Sequence, residues 1–455
     1  MNKKYTFHLK SFGCQMNMYD AVRITSYLSD NGFISTEAED DADIIILNTC
    51  YIREKASAKI FSELGRLKKL YVNKKKAVPI FAIIGCVAKA ESENVFKRAP
   101  YVSIVLSSQK YHLLPSFLNK VIKDRNTPTP ENKKKKNLHL IDVELSGLEK
   151  FDNLTPLKKS DKVAFIQVQE GCDNFCTYCV VPNTRGREVS RSIPSVIDEA
   201  KGLCDLGVVE INLLGQNVDS FNGVDENRKP STLGDLIKRV AILPSVKRIR
   251  YTTSYPSKIT DDMIELHRTE KKLMPLVYLP IQSGSNEILH KMNRKYTREK
   301  YLEIIEKLKS ANPSIQISSD FIVGFPTETE EDFEATLDIV RKVKFIQCYA
   351  FKYSPRPNTP AAVMEGQIDN KVKADRLRRL QMELRKNQDA FNKSCVGKVM
   401  SVLFTEVSKV DTDFVVGKNE YLQPVIVKGD KSLLGTIRDV KITSGSYANL
   451  KGEIV

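Results

Sequence analysis

The segment from Glu170 to Cys179 carries three cysteines, Cys172, Cys176 and Cys179, at the spacing CxxxCxxC, directly after an apolar run typical of a strand. Three thiolates on one short loop can face a single point. They provide one ligand fewer than a closed tetrahedral zinc site or a fully ligated iron–sulfur cluster needs, and a vacant position on a metal is where chemistry can occur. The alternatives are three buried cysteines, or a zinc site that a distant fourth ligand completes.

A second set of cysteines lies nearer the amino terminus, where Cys14, Cys50 and Cys86 each follow a strand-like run. The carboxyl ends of parallel strands share one edge of a sheet, which is where open α/β folds bind their ligands. The three thiols can therefore converge, and Gly13 and Gly85 would let the backbone approach a cluster closely. We expect a second metal cluster here. A zinc site with a further ligand and a disulfide switch are the competing interpretations.

Strand and helix patterns alternate along most of the chain, which predicts an α/β fold of three domains. Residues 1–123 predict a doubly wound parallel-sheet domain, and residues 124–157, with a lysine run from Lys133 to Lys136, have the composition of a linker. Residues 158–388 predict a central partial (βα)6 barrel, and residues 391–455 a small C-terminal β-barrel. The six strand candidates of the central domain are 163–168, 209–214, 246–252, 276–281, 315–323 and 345–351.

The predicted carboxyl ends of the barrel strands are rich in small polar and amide side chains, which can hydrogen-bond a ribose, an adenine or an amino-acid head group. Ordinary turn chemistry explains any one of them equally well. Together with the aromatic residue before the last cysteine of the loop, the candidate cofactor-binding residues are Tyr178, Gln216, Asn217, Ser254, Gln282, Ser283 and Asp320.

Arginines close to the cysteine loop are candidates for binding the substrate. Arg185 and Arg187 follow the loop, and their guanidinium groups can clamp a phosphate or a carboxylate. Arg294 and Lys295 form a weaker candidate pair. A surface salt bridge is the ordinary role of each of these residues.

Composition restricts the environment and the partners. The net charge of +15 favours a polyanionic partner, without distinguishing RNA from DNA or an acidic protein. No apolar run reaches the length of a membrane span and the amino terminus lacks a secretory signal, so we expect a cytoplasmic monomer without membrane contact. Nine cysteines in that compartment favour metal binding or catalysis over disulfides. Three of them have no partner at ligand spacing and are interpreted as structural, namely Cys204, Cys348 and Cys395.

The loop of Cys172, Cys176 and Cys179 resembles the signature of radical S-adenosylmethionine enzymes. In that family three cysteines hold a four-iron four-sulfur (4Fe-4S) cluster. S-adenosylmethionine chelates the fourth iron, and one electron cleaves it to a 5′-deoxyadenosyl radical. The strings QEGC and CVVP around the loop, TRGRE at 184–188, GCQMN at 13–17, NTC at 48–50 and GCVA at 85–88 are similar to the methylthiotransferase subgroup. There the amino-terminal cysteines hold an auxiliary 4Fe-4S cluster that carries the sulfur to be transferred. The last 60 or so residues resemble the TRAM domain, an RNA-binding barrel.

This resemblance implies a tRNA methylthiotransferase with two 4Fe-4S clusters, which uses two molecules of S-adenosylmethionine. It is expected to insert a methylthio group at carbon two of isopentenyladenosine next to the anticodon. That carbon has no acidic proton and no leaving group, which is a reason to use a radical. The expected partners are the tRNA anticodon stem-loop, an external electron donor and an external sulfur source. The alternatives are threonylcarbamoyladenosine in tRNA or a ribosomal protein as substrate, and a non-catalytic zinc-dependent RNA-binding module.

Three residues depart from the family pattern. Asn183 stands where tyrosine is common, Tyr255 replaces a frequent histidine before Pro256, and Thr327 stands where glycine is common. None of them is a cysteine of either set, so these departures bear on the nucleoside contacts.

Overall fold

The computed structural model describes residues 4–51, 56–128, 136–145, 147, 149–152 and 154–455. Most of the predicted lysine run, Lys133 to Lys135, lies outside these residues. The described chain forms an amino-terminal parallel sheet, a central incomplete barrel of parallel strands and a closed C-terminal β-barrel. The predicted fold class is confirmed.

A six-stranded parallel sheet with the strand order β2-β1-β3-β4-β5-β6 forms the amino-terminal domain. Its strands are β1 (Thr6–Ser11), β2 (Ile34–Ser35), β3 (Ile44–Thr49), β4 (Ile80–Gly85), β5 (Val102–Leu106) and β6 (Leu140–Asp142). Its helices are α1 (Gln15–Asp30), α2 (Ala56–Asn73), α3 (Cys86–Glu91), α4 (Asn94–Arg98), α5 (Leu114–Asn126) and α6 (Glu149–Asp152). Every residue of β3 and β4 is buried, because helices cover both faces of the sheet. Strand β6 and helix α6 lie within the segment predicted to be a linker.

The central domain winds its strands in chain order around an incomplete barrel. Its strands are β7 (Val163–Gln167), β8 (Gln169–Glu170), β9 (Val189–Ser190), β10 (Glu210–Leu214), β11 (Gly223–Val224), β12 (Pro230–Ser231), β13 (Arg248–Thr252), β14 (Leu276–Tyr278), β15 (Gln316–Ser318), β16 (Asp320–Val323) and β17 (Tyr349–Lys352). Its helices are α7 (Val181–Arg185), α8 (Ile193–Asp205), α9 (Leu233–Ala241), α10 (Asp261–Thr269), α11 (Asn286–Lys291), α12 (Arg298–Ala311), α13 (Glu330–Val343) and α14 (Asn370–Ser394). The six predicted strands correspond in order to six parallel positions of the barrel. These are β7, β10, β13, β14, β15 together with β16, and β17. The predicted strand 315–323 is divided at Ser319.

Alternate residues of each barrel strand face different surroundings. On β13, Ile249 and Tyr251 are buried in the apolar core beneath the helices, whereas Arg250 and Thr252 point the other way and are partly exposed. The strands β16 and β17 repeat this pattern. Because side chains on a strand alternate between its two faces, the second set lines the barrel interior.

The C-terminal domain is a closed barrel in the order β18-β19-β20-β22-β21. Its strands are β18 (Val399–Val407), β19 (Phe414–Asn419), β20 (Pro424–Lys428), β21 (Ile437–Gly445) and β22 (Leu450–Ile454). It covers the amino ends of the central strands. Arg248 donates to the carbonyl oxygens of Lys418 at 3.0 Å and Ser401 at 2.8 Å, and the hydroxyl of Tyr421 donates to the carbonyl oxygen of Ser314 at 3.1 Å.

None of the helices in the described part of the chain has the length and apolar character required to cross a membrane.

Candidate active site

The amino-terminal cysteines lie at one edge of the first sheet. Cys14, Cys50 and Cys86 follow β1, β3 and β4, which are neighbouring strands, and the thiols of Cys14 and Cys50 are hydrogen-bonded to each other. Gly13 has a φ of 119°, and a Cβ atom there would lie 2.1 Å from the Cβ of Cys50. Glycine is therefore required for the loop of Cys14 to approach Cys50 this closely.

The second trio sits on a loop that a short hairpin closes at its base. Strands β8 and β9 pair antiparallel on either side of it, and the Cys172 amide donates to the carbonyl oxygen of Gly186 at 3.1 Å. A Cβ atom on Gly171 would lie 2.0 Å from the carbonyl oxygen of Arg187, so this crossing also requires glycine. The loop begins directly beyond the end of β7, at the mouth of the barrel.

All three sulfurs of this loop accept a hydrogen bond from a nitrogen. Cys172 accepts from the side-chain amide of Asn174, Cys176 from Nη1 of Arg294, and Cys179 from the backbone amide of Val181, each at 3.4 Å. Such donors stabilise negative charge on sulfur, which suits thiolates that hold a metal cluster.

A buried guanidinium group also contacts the amino-terminal trio. Nε of Arg185 lies 3.4 Å from the sulfur of Cys86, and the same side chain pairs with Glu170 at 2.7 Å and with Asp20 at 3.2 Å. Lys150 lies between the same two carboxylates, at 2.9 Å from Glu170 and 3.2 Å from Asp20. These four charges are buried and balance one another, and they join helix α1 of the first domain to the cysteine loop of the second.

Arg294 is in a different electrostatic situation. Its guanidinium donates to the hydroxyl of Tyr296 at 2.7 Å and to the carbonyl oxygen of Pro280 at 2.8 Å, and it lies 4.2 Å from the ring centre of Tyr255. No described carboxylate lies within 4.0 Å of it. The contact of this buried cation with the sulfur of Cys176 is the arrangement expected beside an anionic cluster.

Both cysteine trios open onto the same barrel mouth. Helix α3 begins at Cys86 and packs on α7, which begins two residues after Cys179. Cys14 packs against an apolar cluster that Met16 and Tyr19 of α1 form with Leu214 at the carboxyl end of β10. The first domain thus lies over the mouth of the central barrel.

The chemistry of the donors fits iron–sulfur clusters. Among the described residues, no three His, Cys, Asp or Glu side chains are close enough together to hold a single metal ion. Two sets of three thiols, each with a guanidinium nitrogen on one sulfur, provide the ligands and the positive charge that an anionic cluster of several irons needs. Burial raises the pKa of Cys172 to about 11 and of Cys179 to about 12, so binding of metal by these groups releases protons.

Two of the predicted cofactor-binding residues contact the hairpin that carries the cysteine loop. Oε1 of Gln216 accepts from the Gly171 amide at 2.7 Å, and Nδ2 of Asn217 donates to Glu188 at 2.6 Å. Tyr178 lies within the loop and packs against the apolar core. The hydroxyl of Ser254 donates to Asp219 at 3.2 Å, where burial raises the pKa of the Asp219 carboxyl to about 7.

Three of the other predicted site residues lie on or after the central strands, and the fourth, Arg187, contacts the cysteine loop. Ser283 is fully buried and its hydroxyl lies 3.4 Å from that of Thr336 in α13, whereas Gln282 contributes backbone hydrogen bonds to the neighbouring strand. Asp320 was expected after a strand but is the first residue of β16, inside the barrel. The exposed side chain of Arg187 pairs with Asp173 at 2.7 Å.

Several residues of the site were not among the predicted ones. Asp20, Lys150 and Glu170 meet Arg185 across large sequence separations, and local patterns contain no signal for such a contact. Arg294 was only a weak candidate, and its contact with Cys176 joins residues 118 positions apart.

Comparisons with known proteins agree with this geometry. Three family models match successive parts of the chain: an uncharacterized protein family (UPF0004) at residues 6–107, the radical SAM superfamily at 166–340 and the TRAM domain at 393–455. Proteins named tRNA-2-methylthio-N(6)-dimethylallyladenosine synthase are similar to this chain over its whole length. The one from Rickettsia felis is 50% identical over 460 residues and the one from Rickettsia bellii 49% over 459 residues, with 100% of both chains covered.

Solved structures show the same fold at low sequence identity. A radical S-adenosylmethionine methyltransferase, TsrM from Kitasatospora setae, has a TM-score of 0.57 at 14% identity, covering 79% of this chain and 77% of its own. The radical enzyme OxsB has a TM-score of 0.52 at 14% identity, covering 84% of this chain and 56% of its own.

Proposed function

Because the chain belongs to the radical S-adenosylmethionine methylthiotransferases of the tRNA-2-methylthio-N(6)-dimethylallyladenosine synthase type, we propose that it inserts a methylthio group at carbon two of dimethylallyladenosine in tRNA. The observation that carries the proposal is the pair of cysteine trios on one barrel mouth. The enzyme uses two 4Fe-4S clusters and S-adenosylmethionine. No feature of the site favours threonylcarbamoyladenosine or a protein as the substrate, and none favours a zinc-dependent module.

Cys172, Cys176 and Cys179 would hold the cluster that binds S-adenosylmethionine, and Cys14, Cys50 and Cys86 would hold the auxiliary cluster. When bound, these groups supply the one-electron and radical chemistry that an unactivated ring carbon requires. Three sulfurs per cluster leave one iron of each without a cysteine ligand.

The chain's own residues position this machinery. Oε1 of Gln216 accepts a hydrogen bond from the Gly171 amide, and Nδ2 of Asn217 donates one to Glu188. The residues that follow β10 therefore hold the base of the cysteine loop in place. We assign Tyr178, Ser254, Gln282 and Asp219 to the surroundings of S-adenosylmethionine. Arg185 serves to position the two trios through Asp20 and Glu170, whereas the exposed Arg187 is available to a phosphate.

The proposal extends to partners and organisation. The tRNA is expected to enter through its anticodon stem-loop, because the modified adenosine lies next to the anticodon, and the basic C-terminal barrel at 391–455 would contact its backbone. An external electron donor and a sulfur source complete the cycle. We place the enzyme in the cytoplasm as a monomer of three domains, with boundaries near residues 123, 158 and 391.

Anaerobically reconstituted protein tests this function. Wild type should bind about eight irons per chain, as two clusters require, and should convert tRNA that carries dimethylallyladenosine to its methylthio derivative, followed by mass spectrometry of nucleosides. A triple alanine variant of Cys172, Cys176 and Cys179 should keep about half of the iron and lose the product. Methylthiolation of protein alone, or zinc without labile sulfide, would refute the proposal.

A further inference from the structure

One layer of the barrel interior brings together polar and aromatic side chains that the cysteine sites do not use. Asn212 of β10 is the register partner of Arg250 of β13, and Asp320 of β16 is the register partner of Tyr349 of β17. Register partners on parallel strands share a face. The hydroxyl of Tyr278 on β14 donates to Asp320, which links β14 to β16 within this layer.

Three polar side chains of this layer each have one atom without a hydrogen-bond partner among the described residues. Nε of Arg250, Oδ1 of Asn212 and Oδ1 of Asp320 are buried, and no atom of the described residues forms a hydrogen bond with any of them. No described carboxylate lies within 4.0 Å of the guanidinium of Arg250, because Glu210 pairs with Arg248. Buried polar groups of this kind are costly unless a ligand satisfies them.

Two aromatic rings complete the layer on the open side of the barrel. Tyr349 and Phe351 are 60% and 45% exposed, although their neighbour Ala350 packs against the core. Their rings lie 6.4 Å apart at an angle of 13°, so two nearly parallel apolar rings are exposed. Burial of a hydrocarbon substituent of a ligand on such rings is favourable.

These groups are complementary to one chemical structure. An adenine substituted on N6 has one N6–H donor, ring nitrogens that accept hydrogen bonds and a flat aromatic face, and a dimethylallyl group adds an apolar tail. Asp320 offers the acceptor, Arg250 offers the donors, and Tyr349 with Phe351 offers the apolar surface. We propose that Arg250, Asp320, Tyr349 and Phe351 form the subsite that recognises the dimethylallyladenine base of the tRNA substrate. This inference rests on the proposed function.

Measuring the affinity for RNA tests the proposed subsite separately from catalysis. The probes are two fluorescent anticodon stem-loop RNAs that differ only in carrying adenosine or dimethylallyladenosine, titrated into reconstituted protein. Wild type should bind the dimethylallyl RNA about tenfold more tightly, since burial of the five-carbon dimethylallyl group on the two rings is enough for an effect of this size. Phe351→Ala and Tyr349→Ala should remove most of this preference and leave the affinity for the adenosine RNA within about twofold. Ile242→Ala, an exposed apolar residue at the end of α9, is the matched control and should keep the preference.

Binding of radiolabelled S-adenosylmethionine distinguishes the cofactor from the substrate as the occupant. Under the proposal, Phe351→Ala, Tyr349→Ala and Arg250→Gln bind it as wild type does, and Arg250→Gln weakens both RNAs. If these variants lose S-adenosylmethionine and keep the RNA preference, the subsite belongs to the cofactor and the inference is overturned. If wild type forms product but does not distinguish the two RNAs, the inference fails and the function stands. If wild type neither binds the RNAs nor forms product, both fail. Unchanged thermal unfolding of the variants verifies that each of them is folded.

Discussion

At the scale of single residues, glycines determine how closely the amino-terminal cysteines approach each other. Gly13 and Gly32 both have positive φ, 119° and 86°, but only Gly13 has Cys50 within contact distance of a Cβ atom. Substituting alanine at both positions distinguishes the conformational cost of a positive φ from the steric cost of displacing Cys50.

Gly13→Ala should therefore reduce the iron content after reconstitution to about half, because Cys14 and Cys50 no longer meet. The matched variant Gly32→Ala should retain full iron, although it carries a similar backbone strain. Iron and sulfide analysis of both proteins gives the answer. Equal iron in the two variants would show that the approach of Cys14 to Cys50 is not needed.

The buried charge of Arg294 should control the cluster beside it. Replacing it by glutamine removes the cation next to Cys176, which disfavours the more negative reduced state, so the reduction potential should fall by roughly 60 mV, a tenfold change for one electron. Lys295→Gln removes the same charge from an exposed neighbour and should leave the potential unchanged. Redox titration followed by electron paramagnetic resonance measures both.

Residue patterns indicated the cysteines and marked Arg185 and Arg294 as candidates for binding the substrate, but they did not indicate the contacts of these arginines with the cysteines. The spacing of Cys172, Cys176 and Cys179 is local and can be read directly, and Cys14, Cys50 and Cys86 follow recognisable strands. The contact of Arg185 with Cys86 joins residues 99 positions apart and depends on the packing of α3 on α7, which no local pattern encodes.

At the scale of secondary structure, long apolar strands were predictable and short edge strands were not. The predicted strands 163–168 and 209–214 agree with β7 and β10 to within one residue at each end. Strand β6 has three residues, all only partly buried, so its sequence resembles the linker around it. In strand β22 only Leu450 is buried, and its pairing with β20 and β21 is what closes the C-terminal barrel.

Helix α10 contains a buried histidine that makes stability depend on pH. Burial lowers the pKa of His267 to about 4, and Nε2 lies 2.9 Å from the hydroxyl of Tyr251. The folded protein therefore holds the imidazole neutral, whereas the unfolded chain protonates it near pH 6.5. Stability from this group is complete above pH 6.5 and is lost as the pH falls toward 4. Between pH 7 and pH 5 the loss is about 2 kcal/mol.

His267→Gln removes that titration. The difference in unfolding free energy between wild type and variant, measured by chemical denaturation, should shrink by about 2 kcal/mol from pH 7 to pH 5. A difference that stays constant over this range would show that His267 is already protonated, or accessible to water, in the folded state.

At the scale of the whole molecule, the contacts that join the domains could not be read from the sequence. The composition of 124–157 predicted a linker, yet Lys150 of that segment is fully buried and pairs with Asp20 and Glu170. The placement of the C-terminal barrel under the central strands depends on Arg248, whose carbonyl partners Lys418 and Ser401 are more than 150 positions away.

Arg248→Ala should loosen the C-terminal barrel. It removes three hydrogen bonds across the interface and leaves Glu210 buried without its cation, at a cost of about 3 kcal/mol. Limited proteolysis should then cut the chain after α14 several times faster than in wild type. Arg239→Ala, which breaks an exposed pair with Glu226 on α9, is the control and should be cut at the wild-type rate. Equal rates for all three proteins would contradict the assigned role of Arg248.

The four charges shared by Asp20, Lys150, Glu170 and Arg185 have a consequence for how a nucleotide reaches the iron. Separating the two domains would break the Lys150–Glu170 and Asp20–Arg185 pairs and leave only one ion pair on each side, so hinge opening is unfavourable in every turnover. The two domains then keep a fixed arrangement during turnover, and the conformational change that brings the base to the site must take place in the RNA. Its adenine has to unstack and swing outward, which is far easier from a loop than from a paired helix.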